Sequence, residues 1–172
     1  FRKAMASIKR NPQALIDISS GLIENMRDTC KLAQQNSLSA ILLADDIAGN
    51  RGLLFSYDDF ATTILPMYEQ IVDIIQKQNL CAFFHSDGDT RAVIGSLVKA
   101  GYDCIHPIDN QAGLNLYDLK DTFGIKASFM GHIDIITRDY ERIAREIRKA
   151  ETEFSFGGLI LGSTCGLSMK TV

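Results

Sequence analysis

Five short apolar runs, separated by stretches with helical periodicity and each running into polar residues, constrain this chain more than any other feature. They are SAILLA (Ser39 to Ala44), LCAFFH (Leu80 to His85), YDCIHP (Tyr102 to Pro107), IKASFMG (Ile125 to Gly131) and GGLILG (Gly157 to Gly162). Runs of this kind fit strands covered on both faces, and their alternation with helices predicts βα units and a parallel sheet.

The intervening stretches carry helix punctuation. Between residues 4 and 35, Leu15, Ile18, Leu22, Met26 and Leu32 recur at helical spacing with Pro12 near the start, which predicts one or two helices. Ser56 to Asp59 forms a loose capping box, and Phe60, Ile64, Tyr68, Ile71 and Ile75 form one stripe, with Pro66 kinking it or opening a second segment. Gly101 and Gly124 stand where C′ glycines close helices over Thr90 to Ala100 and Leu116 to Phe123. A last helix is expected from Thr137 to Glu153, its Arg138, Arg142, Arg145 and Arg148 forming a solvated basic face.

The chain has 172 residues, 46% hydrophobic and 23% charged, which fits one domain over residues 1–172 with one sizeable core. Net charge is −3 and the basic residues are scattered, so nucleic acid is not an expected partner. No apolar run reaches the roughly 18 to 20 residues of a membrane span, and the opening FRKAMASIKR has no apolar signal core. No membrane association and a cytoplasmic location are the expectations. Cys30, Cys81, Cys104 and Cys165 lack CxxC spacing and read as free thiols, the first three as core residues.

A (β/α)₈ barrel has eight strands and about 250 residues. Five units imply either a small open α/β sheet or a truncated barrel, and a leading helix with no strand before it favours truncation.

In parallel α/β folds the reacting groups lie beyond the C-terminal ends of the strands. Here those positions hold Asp45-Asp46, His85-Ser-Asp87-Gly88, His106-Pro-Ile-Asp109, His132-Ile-Asp134 and Ser163-Thr-Cys165, which places all three histidines on one rim. His85, Asp87 and Cys165 form the sharpest set, because imidazole, carboxylate and thiolate all bind zinc and three protein ligands leave a coordination position open. The alternative is structural, with His85 satisfied by backbone and Asp87 capping the next helix. Asp45 and Asp46 offer a carboxylate pair, one of which could act as a general acid; neighbours on an extended segment point oppositely, so at most one faces the pocket. His106 and Asp109 either bind substrate or satisfy the turn at Pro107. Asp134 follows a Gly131-His132 turn and precedes Thr137, an expected N-cap, and either holds substrate or the backbone of that turn.

Taken in order, LADDIAGNRGLLFS, the helix with Ile64 to Pro66, HSDG, HPID, DLKDTFGIK, GHID and GGLILGSTCGL resemble the uroporphyrinogen decarboxylase superfamily over nearly the whole chain. The resemblance implies a (β/α)₈ barrel of which this chain would be the last five units, with the N-terminal strands absent. The decarboxylases carry an arginine-rich motif and an essential aspartate in that earlier portion, and a Gly-His-Gly turn where this chain has Thr164-Cys165-Gly166. The methyltransferase branch, which moves methyl groups between a corrinoid protein and an acceptor, holds zinc with a His-x-Cys motif and a later cysteine. His85 and Cys165 match two of those positions, and Asp87 stands in for the middle cysteine.

The resemblance therefore implies a zinc-dependent methyltransferase-like domain working with a corrinoid carried by a partner protein. His85, Asp87 and Cys165 would hold the metal, Asp45 or Asp46 would be catalytic, and His106, Asp109 and Asp134 would bind substrate. A uroporphyrinogen decarboxylase-like carboxy-lyase and a non-catalytic ligand-binding barrel fragment are the alternatives. Open sheet edges lead to an expectation of self-association.

Overall fold

The computed structural model describes residues 8, 10–136 and 138–164. Ile8 and Arg10 are helical, and Asn11 then interrupts the chain and caps helix α1 (Pro12–Gln35), its side chain accepting the Ala14 N–H. Pro12 lies in the first turn, where its missing N–H leaves no bond unmade. Strand β1 (Ala40–Ala44) follows, then a small hairpin of β2 (Ala48–Gly49) and β3 (Gly52–Leu53). The remaining elements are α2 (Tyr57–Asp59), a π-turn (Phe60–Ile64), α3 (Leu65–Gln76), β4 (Cys81–His85), α4 (Arg91–Ala100), β5 (Cys104–Ile108), α5 (Leu116–Phe123), β6 (Ser128–Ile133), α6 (Tyr140–Glu153) and β7 (Leu159–Ser163).

The capping box forms as expected: Ser56 Oγ accepts the Asp59 N–H at 3.1 Å. Pro66 has no N–H to continue an α-helical ladder, and just before it the chain widens into the π-turn, where the Leu65 N–H bonds to the Phe60 carbonyl five residues back. The stripe Phe60, Ile64, Tyr68, Ile71, Ile75 is nevertheless continuous and fully buried. Gly101 takes the left-handed conformation of a C′ glycine (φ 105°), whereas Gly124 is right-handed (φ −61°) and the chain turns there without it. The last helix starts later than expected because Asp139, not Thr137, caps it by accepting the Arg142 N–H; Thr137 lies outside the described residues.

The main sheet has five strands in the order β1-β4-β5-β6-β7, all parallel, so order in space is order in sequence. Each crossover steps the same way, and right-handed crossovers that always step the same way put every helix on one face. Ile41, Leu43, Ala82, Phe84, Ile105 and Phe129 point to that face and are buried against Ile71, Ile75, Ile94, Leu97 and Leu116 from the helices. At roughly 1.5–3 kcal/mol for each fully buried large side chain, this layer is the main source of stability. Its centre is aromatic: Phe84 lies 5.2 Å from Tyr68 and 5.3 Å from Tyr102, ring centre to ring centre.

The other face of the sheet carries Leu42, Ala44, Cys81, Phe83, His85, Cys104, His106, Met130 and Ile160; it is open at β1, at the start of β4 and at β7, while Cys104 near its centre is buried. Leu42 is 45% exposed and Ile160 43%. Cys81 was expected in the core, but it is exposed, at the first residue of β4 on the open part of this face. Cys30 and Cys104 are buried as expected.

The hairpin was not legible in the sequence. It folds over the HSDG segment, whose Asp89 N–H donates to the Gly49 carbonyl at 2.9 Å. Gly88 is required there: it has φ 87°, and a Cβ on it would stand 2.8 Å from the Gly49 backbone.

Two outcomes follow from this packing. In the folded 172-residue chain, iodoacetamide labelling mapped by mass spectrometry should modify Cys81 while Cys30 and Cys104 stay protected until denaturant is added; burial pushes the Cys104 thiol up to about 12, with smaller contributions from Asp103 and Cys81. Equal protection of Cys81 would mean that another surface covers the open face. Gly88→Ala should lower stability by about 1–3 kcal/mol, read as a lower urea midpoint, and an unchanged midpoint would show that the hairpin does not clamp this segment.

Candidate metal centre

Parallel register sets the site. Ala44 pairs with His85 and His85 with His106, so two imidazoles from neighbouring strands share one face and one level. Asp46 lies two residues beyond Ala44 and Asp87 two beyond His85, which carries both carboxylates to the same rim. One donor atom each from Asp46, His85 and Asp87 fall within 4.8 Å of one another.

Asp46 Oδ1 accepts the Asp87 backbone N–H at 3.0 Å and stands 3.6 Å from His85 Nε2. That separation is too long for a hydrogen bond. It is close to the distance of about 3.4 Å between two ligand atoms that each lie about 2.1 Å from a tetrahedral zinc. One imidazole nitrogen with two carboxylate oxygens is a donor set that zinc accepts, and the site therefore fits a divalent cation.

The loop is held from below. Ser86 is buried, its Oγ accepts the Ile47 N–H at 3.1 Å, and its own N–H donates to the His106 carbonyl. His85 Nδ1 lies 2.7 Å from His106 Nδ1, with the two ring centres 4.9 Å apart. Burial, and then the neighbouring His85, hold His106 below the usual imidazole range, with Asp87 pulling the other way.

The adjacent aspartates divide as alternation requires. Asp45 Oδ2 accepts the Tyr68 hydroxyl at 2.7 Å, and its backbone N–H donates to the His85 carbonyl. Burial, strengthened by the charge and hydrogen bond of Asp45, pushes the Tyr68 phenol far above its ordinary range, so Tyr68 acts as a fixed donor. Only Asp46 joins the cluster.

Asp109 and Asp134 sit on the next two loops. Asp109 Oδ1 accepts the Gln111 N–H at 2.8 Å, and Gln111 Nε2 donates to Asp134 Oδ2 at 3.3 Å, so one glutamine links both. Asp134 Oδ1 also accepts the Ile136 N–H. Both carboxylates accept backbone N–H groups of their own loops.

The three histidines do not share the rim: Gly131 and His132 both have left-handed backbone (φ 103° and 83°), which breaks the alternation and turns His132 toward the helices. There its Nε2 lies 2.7 Å from Glu146 Oε1, which also accepts the Tyr117 hydroxyl at 2.6 Å. Burial works to raise the Glu146 pKa, but the bonds to Tyr117 and His132 outweigh it and hold the carboxylate below its ordinary range. Cys165 lies outside the described residues.

Asp46 was read as catalytic and not as a ligand, because its place beside Asp87 depends on the β1/β4 register. The parity of Leu42, Ala44 and Asp46 was the signal available. Ser86 and the His85/His106 pair were missed for the same reason.

No described helix is long and apolar enough to cross a membrane. No curated protein matches the sequence. Among solved structures, a methyltransferase from Methanosarcina mazei shares the fold, with a TM-score of 0.68 at 14% identity over 95% of this chain. The match covers 47% of that protein, so this chain spans about half its length. The family model described as uroporphyrinogen decarboxylase (URO-D) matches residues 1–172, and with that match the parallel βα chain and its rim of strand-end residues find their place: the chain belongs to the URO-D family.

Proposed function

We propose that this chain forms the C-terminal five βα units of a (β/α)₈ barrel and holds a zinc ion at the strand ends, where a methyl group moves to or from a corrinoid carried by a partner protein. One observation carries the reading: donor atoms of Asp46, His85 and Asp87 converge within 4.8 Å. The family match and the fold shared with a methyltransferase support it.

Zinc bound there would supply a Lewis acid that lowers the pKa of a coordinated thiol or polarises a bound oxygen near neutral pH. His85 contributes Nε2, since its Nδ1 is taken by His106. Asp46 and Asp87 contribute oxygens, and Cys165 is the proposed thiolate partner of the set. Asp45, tied to Tyr68, stays off the metal and serves to position substrate or hold a proton beside it. His106, Asp109 and Asp134 line the substrate side, the two loops kept in register by Gln111. Two edge strands and a partly open sheet face favour self-association of the isolated chain.

The family description itself favours a second reading, a metal-free carboxy-lyase in which the rim carboxylates act on a tetrapyrrole acid. The third reading, a non-catalytic binding barrel, has no such observation behind it.

Elemental analysis of the purified 172-residue chain separates them. Near-stoichiometric zinc should be found, and it should be lost in His85→Ala and Asp87→Ala and diminished in Asp46→Ala and Cys165→Ser. A well-folded chain without zinc, or tetrapyrrole decarboxylation that survives a chelator, would overturn the metal reading in favour of the second.

A further inference from the structure

We infer that His106 is a positioning residue for the metal centre: its Nδ1 accepts the proton on His85 Nδ1 and so commits His85 Nε2 to a bare lone pair aimed at the cation. This inference rests on the metal reading above and concerns how His85 is held when the ion is bound.

The two Nδ1 atoms are 2.7 Å apart, so a proton lies between them and one of the rings carries it. A neutral imidazole has one N–H, on Nδ1 or on Nε2. If His106 were the donor, the His85 proton would sit on Nε2, facing Asp46 Oδ1 at 3.6 Å, too far for a hydrogen bond. If His85 is the donor, its Nε2 lone pair faces two carboxylates with no proton among the three groups. That arrangement is favourable only around a positive ion. A cation on Nε2 therefore requires His85 to donate and His106 to accept.

The backbone keeps His106 available for this. His85 and His106 are register partners, and the Ser86 N–H holds the His106 carbonyl at 3.0 Å, so the pair cannot slide apart without breaking the sheet. With its Nδ1 engaged, His106 acts through His85 and not as the first donor to the metal. An imidazole in this place adds what outer-sphere partners add generally: a fixed tautomer, a fixed ring plane and a more basic ligand atom.

Zinc affinity of the full 172-residue chain, measured by competition with a chromophoric chelator, tests this directly. His106→Leu, which removes the acceptor, should weaken zinc binding by about 10- to 100-fold, and His106→Asn, whose amide oxygen can take the same proton, should recover most of it. Circular dichroism and thermal unfolding identify any variant that fails to fold, and the Asn variant then carries the comparison. Nitrogen-15 shifts of the zinc-loaded wild type should show His85 protonated at Nδ1 and His106 uncoordinated. Equal affinity in His106→Leu and wild type, or a His106 nitrogen bound to zinc, would overturn this inference while leaving the metal reading intact. A folded wild type that binds neither zinc nor cobalt would overturn both.

Discussion

In the parallel register of β1, β4 and β5, Ala44 stands beside His85 and His85 beside His106, and every feature of the rim depends on that alignment. A slip of one residue between β1 and β4 would turn Asp46 away and bring Asp45 to His85, because side chains alternate. Slippage is opposed from both sides. Tyr68 holds Asp45 from the helix layer, and Ile41 and Leu43 of β1 would exchange buried positions for open ones. The register that stabilises the core is thus the register that assembles the cluster.

The same alternation separates stability from chemistry. The helix-facing side of the sheet holds the buried aliphatic and aromatic residues, and the opposite side ends in Asp46, His85 and His106. Substitutions on the open side remove few core contacts, so the site residues can vary without unfolding the chain. Exposed ionic contacts such as Lys31 with Asp28 and Lys77 with Asp73 add little, since solvent screens them. What joins the two sides is the Tyr68–Asp45 bond, a buried phenol tied to a carboxylate at the strand end.

Much of the fold was legible because parallel strands between helices write themselves as apolar runs. All five main strands fall within two or three residues of the runs that predicted them, and Gly101 and the Ser56 box punctuate as their chemistry requires. The two-residue strands of the hairpin were not legible, since a pairing that short leaves no periodicity. The site was legible in part. Residue type and strand-end position picked out His85 and Asp87. The third donor, Asp46, depends on which residue of β1 faces which residue of β4, and that is a nonlocal quantity no spacing encodes. Cys81 was misread because an apolar run does not reveal which of its faces is covered.

His132 shows why residue type alone is a weak guide even at a strand end. It occupies the same kind of position as His85 and His106, one strand further on. Two consecutive left-handed residues reverse its side chain, and the imidazole becomes a pin between β6 and α6, bonded to Glu146 and set edge-on against Tyr117 at 5.7 Å. A left-handed conformation at a non-glycine residue costs about 1–3 kcal/mol and persists only where its surroundings enforce it. Here the shared Glu146 carboxylate enforces it, bonding both His132 and Tyr117. The reversal keeps a third imidazole out of the rim, so the nitrogens near the two carboxylates are those of His85 and His106. Backbone parity therefore decides which histidines meet the carboxylates: ordinary alternation delivers His85 and His106, and its local failure withholds His132.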